Sequence, residues 1–223
     1  MSSLAAQLIT NGIIAGAIYA LVASGFSLIY NVTKFMNFAH GATLALGAYF
    51  MFAFVSGHVP FWAAIILTLI ATVIAGEVVN RVVYKPLRKR KASTAVLLIG
   101  SLSAMIFVNA IILAIWGADI KTIQLPWQNP VLNIGGVLIT GVQVTIIMVA
   151  AVLLLGLWLL MKRSRLGIAM RAVMNNKEVA QTVGIDPERM YSITFALSSA
   201  LAAVAGILIG IEQNLHPPIG TAL

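Results

Sequence analysis

Cysteine is absent from the 223-residue sequence, which excludes disulfides, thiolate metal sites and a cysteine nucleophile. Charge is scarce: Asp, Glu, Lys and Arg together make up 9% of the residues, against about 25% in ordinary soluble domains. The three histidines stand apart at positions 40, 58 and 216. A membrane enzyme would need carboxylates, or His and Ser partners, gathered at one depth, and this scatter argues against one. No G-x-x-x-x-G-K-S/T string occurs, so any ATP-driven role requires an ATPase on another chain. The start of the chain lacks a basic n-region and leads into a long uncharged run, as a first membrane span does and a cleaved signal peptide does not.

Apolar residues fill the space that charge leaves. They make up 61% of the chain, and the mean hydropathy is +1.00. The expected fold class is all-α, a polytopic transmembrane helical bundle of about six spans, since each apolar run comes close to or exceeds the roughly 20 residues a helix needs to cross a bilayer. The runs cover 4–30, then from about 38 to 55, 61–84, 94–116, 140–160 and 186–211. Two of them repeat small residues every fourth position: Gly12, Gly16, Ala20 and Ser24 in the first, Ser198, Ala202, Gly206 and Gly210 in the last. Both patterns predict close helix contact. Glu77 and Arg81, at i and i+4, suit a local ion pair. Asn109 can bond another helix or its own backbone. His58 reads as a solvated turn residue. The stretch 118–138 is mixed and turn-rich, with Pro126, Asn129, Pro130, Gly135 and Gly136, and Trp116 and Trp127 suit a membrane interface.

The formal net charge is +8. In a soluble protein that excess would suggest nucleic acid. In a chain this apolar it reads as topogenic, so membrane lipids are the expected surroundings and no nucleic-acid partner is expected. Apart from Lys34 and Lys121, all Lys and Arg fall in the stretches 81–91 and 162–189. Two spans lie between these stretches, so both face the cytoplasm by the positive-inside rule. Lys89 and Lys177 are then cytoplasmic, and Asn129 and Met1 lie outside. A re-entrant segment at 31–41 would invert the placement of Met1, and irregular backbone at that depth is allowed only where protein or a water-filled cavity covers it.

The loop 161–191 is the longest stretch that cannot enter a bilayer. Its punctuation is that of built structure. Asn175-Asn176 is a turn or N-cap signal, and 177–183 reads as about two helical turns with Val179, Ala180 and Val183 on one face. Gly184 follows where a left-handed C-cap favours glycine. Asp186-Pro187-Glu188 then supplies an N-cap, a proline at the first helical position and an acid at the positive helix end. The pattern fits a polar connector resting on the membrane surface, or a peg laid into the groove of a partner.

The residues here carry a resemblance. Glu178-Val179-Ala180 followed by Gly184 is similar to the E-A-A-x-x-x-G loop of ABC-importer permeases, and the longer run 170–186 resembles the LivH-type branched-chain amino acid permeases more closely. A second string, Asn37-Phe38-Ala39-His40-Gly41, resembles the I-N-F-A-H-G signature of the same family, with Met36 in place of Ile. Asn11-Gly12 and 17–21 fit it too. The resemblance implies one transmembrane permease domain over 1–223, with 161–191 as its cytoplasmic coupling loop. It implies that Arg171, Asn175, Glu178, Val179, Ala180, Val183 and Gly184 meet the ATPase, and that Asn37, Phe38, His40 and Gly41 line or gate the translocation pathway. Asn37 and His40 would there offer unsatisfied polar groups to a water-filled path. The implied partners are cytoplasmic ABC ATPase subunits, a second permease subunit paired as a heterodimer, and a periplasmic substrate-binding protein. No cofactor is implied. The family pattern continues past Pro217-Pro218-Ile219-Gly220 into further spans, so this chain is expected to be C-terminally incomplete.

The function this implies is ATP-driven import of branched-chain amino acids or a related small solute. Permeases of this type also serve urea and amides. The rival from another class is a self-contained channel or secondary transporter, which tends to place ionisable residues within spans; the spans here hold almost none.

Overall fold

The computed structural model describes residues 2–123, 131–134, 137–213 and 215. Six of its helices are long and apolar enough to cross a membrane. They are α1 (Ser2–Thr33), α2 (Ala39–Ser56), a continuous helix made of α3 (Phe61–Val79), one π-helical turn (Asn80–Tyr84) and α4 (Lys85–Lys89), then α5 (Thr94–Trp116), α6 (Gly141–Arg163) and α9 (Pro187–Glu212). Two short helices, α7 (Arg165–Asn175) and α8 (Lys177–Thr182), connect α6 to α9.

Burial sorts the spans. In the most apolar window of α9 72% of residues are buried, against 11% in α6, so α9 forms the centre and α6 the rim. Small residues let α9 come close. A Cβ on Gly206 would collide with the Leu44 carbonyl of α2 and meet the Ala48 amide at 3.0 Å, so only hydrogen fits between these two backbones. The small-residue face of α9 is thus packed as its spacing predicts: Ser198, Ala202, Gly206 and Gly210 are all buried. The face of α1 is not. A Cβ on Gly12 or Gly16 would meet nothing within 4 Å, and α1 turns Ile14, Ile18, Leu21 and Leu28 inward instead. Branched aliphatic side chains bury more area than glycine, and they decide which side of α1 faces the bundle.

The bundle has two ends. At one, Arg88 of α4 pairs with Glu188 of α9 at 3.0 Å, and Lys34, Lys91 and Lys177 gather around them. At the other, Gln7 bonds the Leu138 backbone in both directions, at 3.0 and 2.9 Å. There too Gln143 donates to Glu212 at 2.9 Å, and Lys121 exchanges backbone bonds with Leu215 at 2.9 and 2.7 Å. The start of α1 therefore lies opposite the basic loops. α2 runs from one end to the other, between Asn37 just before it, bonded to Tyr84, and His58 just after it, beside Thr122. It is long and apolar enough to cross a membrane, which favours a span over the re-entrant alternative at 31–41. Met1, Pro126, Trp127, Asn129, Pro130, Gly135, Gly136, His216 and 217–220 lie outside the described residues.

Two elements depart from the expected pattern. Within 118–138, antiparallel strands β1 (Val131–Ile134) and β2 (Val137–Thr140) pair with Val131 opposite Thr140. Thr140 then caps α6 in a capping box with Gln143. The loop 161–191 also holds a whole extra helix, α7, whose Gly167, Met170 and Val173 are buried. Ser164 caps it by accepting from the Gly167 amide at 2.9 Å.

Candidate functional site

The chain between α1 and α2 leaves helical geometry at Lys34, whose φ is 61°. It re-enters a helix at Ala39, with no side-chain cap at Phe38. Beside this break lies a cavity of about 650 Å³ whose wall includes Asn37, Phe38, His40 and Gly41, together with Tyr19, Val22, Ala23 and Phe26 of α1, Leu44 of α2 and Met105 of α5. The four residues read from the sequence as pathway residues thus share one cavity, and the rest of its wall is largely apolar.

Asn37 Oδ1 and both His40 ring nitrogens have partners, where the sequence predicts unsatisfied groups. The Tyr84 hydroxyl donates to Asn37 Oδ1 at 2.6 Å. Tyr84 is fully buried, lying 4.9 Å from the Phe35 ring and stacked 5.3 Å from that of Phe195. The π-helical turn is what brings Tyr84 here: an extra residue in the turn rotates the side chains beyond it, so that Asn80 and Tyr84 are both buried. His40 is equally occupied. Its Nε2 lies 3.2 Å from the Val22 carbonyl and its Nδ1 3.2 Å from Ser198 Oγ. A carbonyl only accepts, so Nε2 carries a proton. The single Ser198 hydroxyl proton lies between the Gly25 carbonyl, at 2.8 Å, and His40 Nδ1. This chain of bonds ties α1, α2 and α9 together at one depth. The Ser101 hydroxyl of α5 accepts from the Phe38 amide at 3.3 Å and donates to Leu98 O at 2.8 Å.

The second candidate region is the loop from α6 to α9. Its capping is the one read from the sequence. Asn176 Oδ1 accepts from the Glu178 and Val179 amides at 2.9 and 3.1 Å. Gly184 has φ 83°, a conformation that costs a non-glycine residue about 1 kcal/mol or more. Asp186 accepts from the Glu188 amide at 2.9 Å, and Pro187 opens α9.

The expected shared face of α8 is split. Ala180 is 2% exposed and packs with Leu28 and Val32 of α1, Met170 and Val173 of α7, and Met190 and Tyr191 of α9. Val179 and Val183 point away, 58% and 69% exposed. Ala180 is therefore the anchor of α8 on its own bundle, and it is not open to a partner. The reason is local: α7 and α9 present apolar side chains to α8, and the smallest residue of the helix fits against them. Glu178, Gly184, Asn175 and Arg171 are exposed, and Arg171 donates back to the Met161 carbonyl at 2.6 Å.

A polar lattice behind the loop joins α3, α4 and α9. Glu77 takes bonds from Arg81 at 2.7 Å and Ser192 at 2.8 Å on one oxygen, and from Asn80 at 3.0 Å on the other. The local Glu77–Arg81 pair is the one the spacing predicts. Asn80 Oδ1 accepts from Arg88, which pairs with Glu188. Sequence reasoning gave no role to Arg88, because its partner is 100 positions away. The groups fitted to one another here are salt-bridge and hydrogen-bond partners, and among the described residues no cluster of His, Cys, Asp or Glu could hold a metal ion.

The family described as "Branched-chain amino acid transport system / permease component" matches residues 8–222. The high-affinity branched-chain amino acid transport system permease protein BraD of Pseudomonas aeruginosa is 32% identical over 231 residues, which cover 96% of this chain and 74% of that protein. The high-affinity branched-chain amino acid transport system permease protein LivH of Escherichia coli K12 is 28% identical over 96% of this chain and 73% of its own length. The probable branched-chain amino acid transport permease protein LivH of Methanocaldococcus jannaschii is 31% identical, covering 96% and 69%. No solved structure matches the chain.

Proposed function

Because the chain belongs to the branched-chain amino acid transport permease family, as a multi-pass inner-membrane protein, we propose that it is the membrane subunit of an ATP-driven importer of branched-chain amino acids. In this reading the cavity beside the α1–α2 break is part of the solute path. Its wall of Tyr19, Val22, Phe26, Phe38, Leu44 and Met105 suits aliphatic side chains, which gain from apolar contact. Asn37 and His40 act as positioning residues there, holding the break in shape through Tyr84 and Ser198.

The observation that carries the proposal is the construction of α8. A capped helix of six residues presents Val179, and Val183 at its C-cap, outward and is pinned inward by Ala180. Small exposed apolar anchors on a short helix fit a groove in another protein, here a cytoplasmic ATPase. The pin passes a push on α8 to α1 and α9, which hold His40 and Ser198 at the cavity. A second permease subunit and a periplasmic binding protein complete the proposed assembly, and the range 161–191 is its coupling loop.

The test is uptake of labelled leucine by proteoliposomes holding the whole assembly. ATP on the ATPase side should be required, and Val179→Asp with Val183→Asp should abolish uptake while leaving the permease inserted. Leucine uptake driven by a sodium or proton gradient without ATP would refute the proposal.

A further inference from the structure

On the basic end of the bundle a second cleft, of about 450 Å³, opens where the ends of α1, α4 and α7 meet the start of α8. Lys34, Arg88, Lys91 and Lys177 line it, together with Asn175 and Tyr191, and no carboxylate does. None of the three lysines belongs to an ion pair among the described residues. The proposed solute path does not use this cleft.

Arg88 is its deep member, with a side chain 9% exposed. Its Nε and one terminal nitrogen donate to Glu188 at 3.1 and 3.0 Å, and that same terminal nitrogen donates to Asn80 at 3.0 Å. The guanidinium lies 4.8 Å from the centre of the Tyr191 ring. The other terminal nitrogen is buried without a partner among the described residues. A buried donor left unmade is costly, and buried polar groups are almost always satisfied by something. Glu188 already offsets the charge of Arg88, so the three lysines add positive charge to a cleft whose lining holds no carboxylate. Lys34 and Lys91 also hold left-handed backbone, with φ 61° and 51°. Glycine or asparagine suits that conformation better than lysine does, so the backbone alone does not explain lysine at either position.

We propose that this cleft binds a phosphate group, supplied by the headgroup of an anionic phospholipid in the leaflet at the basic end of the bundle. Free phosphate offers the same chemistry, but the level of the cleft favours the lipid. Lys34 follows the last residue of span α1, Lys91 lies two residues beyond α4, and Lys177 opens the loop helix. Lys34 and Lys91 thus stand at span ends and Lys177 shares their cleft, the level at which basic pockets between spans take acidic headgroups.

The experiment is native mass spectrometry of the full chain in a neutral detergent, titrated with phosphatidylglycerol, phosphatidylcholine or inorganic phosphate. Lys34→Asn and Lys91→Asn keep a residue that tolerates left-handed backbone, and Lys177→Gln alters only an exposed helix start. Arg165→Gln removes the same charge outside the cleft. One phosphatidylglycerol should be retained in preference to phosphatidylcholine. Each lysine removed should weaken it about fivefold, while Arg165→Gln leaves it unchanged. The proposal fails if phosphatidylcholine binds equally well, if Arg165→Gln weakens binding as much as the lysine variants do, or if none of the lysine variants weakens it. Displacement of the lipid by millimolar inorganic phosphate would assign the cleft to a soluble anion and overturn the lipid. Loss of ATPase co-purification in the lysine variants with lipid retention intact would make the cleft a protein contact and overturn it as well.

Discussion

Ala180→Asp separates the two surfaces of α8. The methyl group is 2% exposed among apolar residues of α1, α7 and α9. An uncompensated buried ion costs several kcal/mol. Taking about 3 kcal/mol as the lower figure, the population in which α8 has come off the bundle rises more than a hundredfold, at about 1.4 kcal/mol per factor of ten. Proteolysis follows that open population when closing is faster than cutting. Trypsin cleavage after Lys177, normalised to the rate in the denatured chain, should therefore rise about a hundredfold in the purified permease. Val183→Asp, at a position 69% exposed, should be cut within about threefold of the parent, as an exposed charge costs little. Both variants should lose the ATPase, the first because its helix is released and the second because the contact itself is spoiled. If Ala180→Asp is cut no faster than the parent, Ala180 does not pin α8, and the division of the helix into an anchored side and an open side is wrong.

Gly206→Val should destabilise the bundle by about 1–3 kcal/mol through overpacking, because its first added carbon already meets the α2 backbone; Gly12→Val, with open space around it, should leave the thermal midpoint in detergent unchanged. Gly184→Val should cost about 1 kcal/mol or more for φ 83° and misdirect the entry to α9, which would appear as lost ATPase co-purification from a permease that still inserts. For topology, Lys89→Cys and Lys177→Cys should resist an impermeant thiol reagent on intact cells while Asp119→Cys reacts; labelling of Lys177→Cys without permeabilisation would invert the bundle.

Local signals were legible because they are self-contained. Asn176, Gly184, Asp186 and Pro187 each act on backbone within a few residues, and they hold the positions that their chemistry requires. The uncharged runs likewise sufficed for the spans, since in a bilayer every backbone polar group must be satisfied within the helix. What depended on distant neighbours was not legible. The inward turn of Ala180 is set by Met170, Val173 and Met190, and the failure of Gly12 and Gly16 to pack is set by the larger side chains of α1. The bonds Tyr84–Asn37 and Arg88–Glu188 need the π-helical turn, which no residue announces. Two features left signals that went unread. Gly135-Gly136 between the runs 131–134 and 137–140 has the form of a hairpin. In 165–175 the charges of Arg165 and Arg171 obscured a buried side made of Gly167, Met170 and Val173.

The central position of α9 also bears on how the protein is made. During synthesis the other five spans emerge before it, yet α9 supplies the surface that α1, α2 and α3 pack against. Until it arrives, the sides of those helices meant for α9 are open to lipid or to the insertion machinery, and the His40 ring lacks the Ser198 hydroxyl. A ribosome paused within α9 should therefore hold a chain whose five spans are threaded but not yet assembled. Premature degradation of this protein should concentrate in that interval.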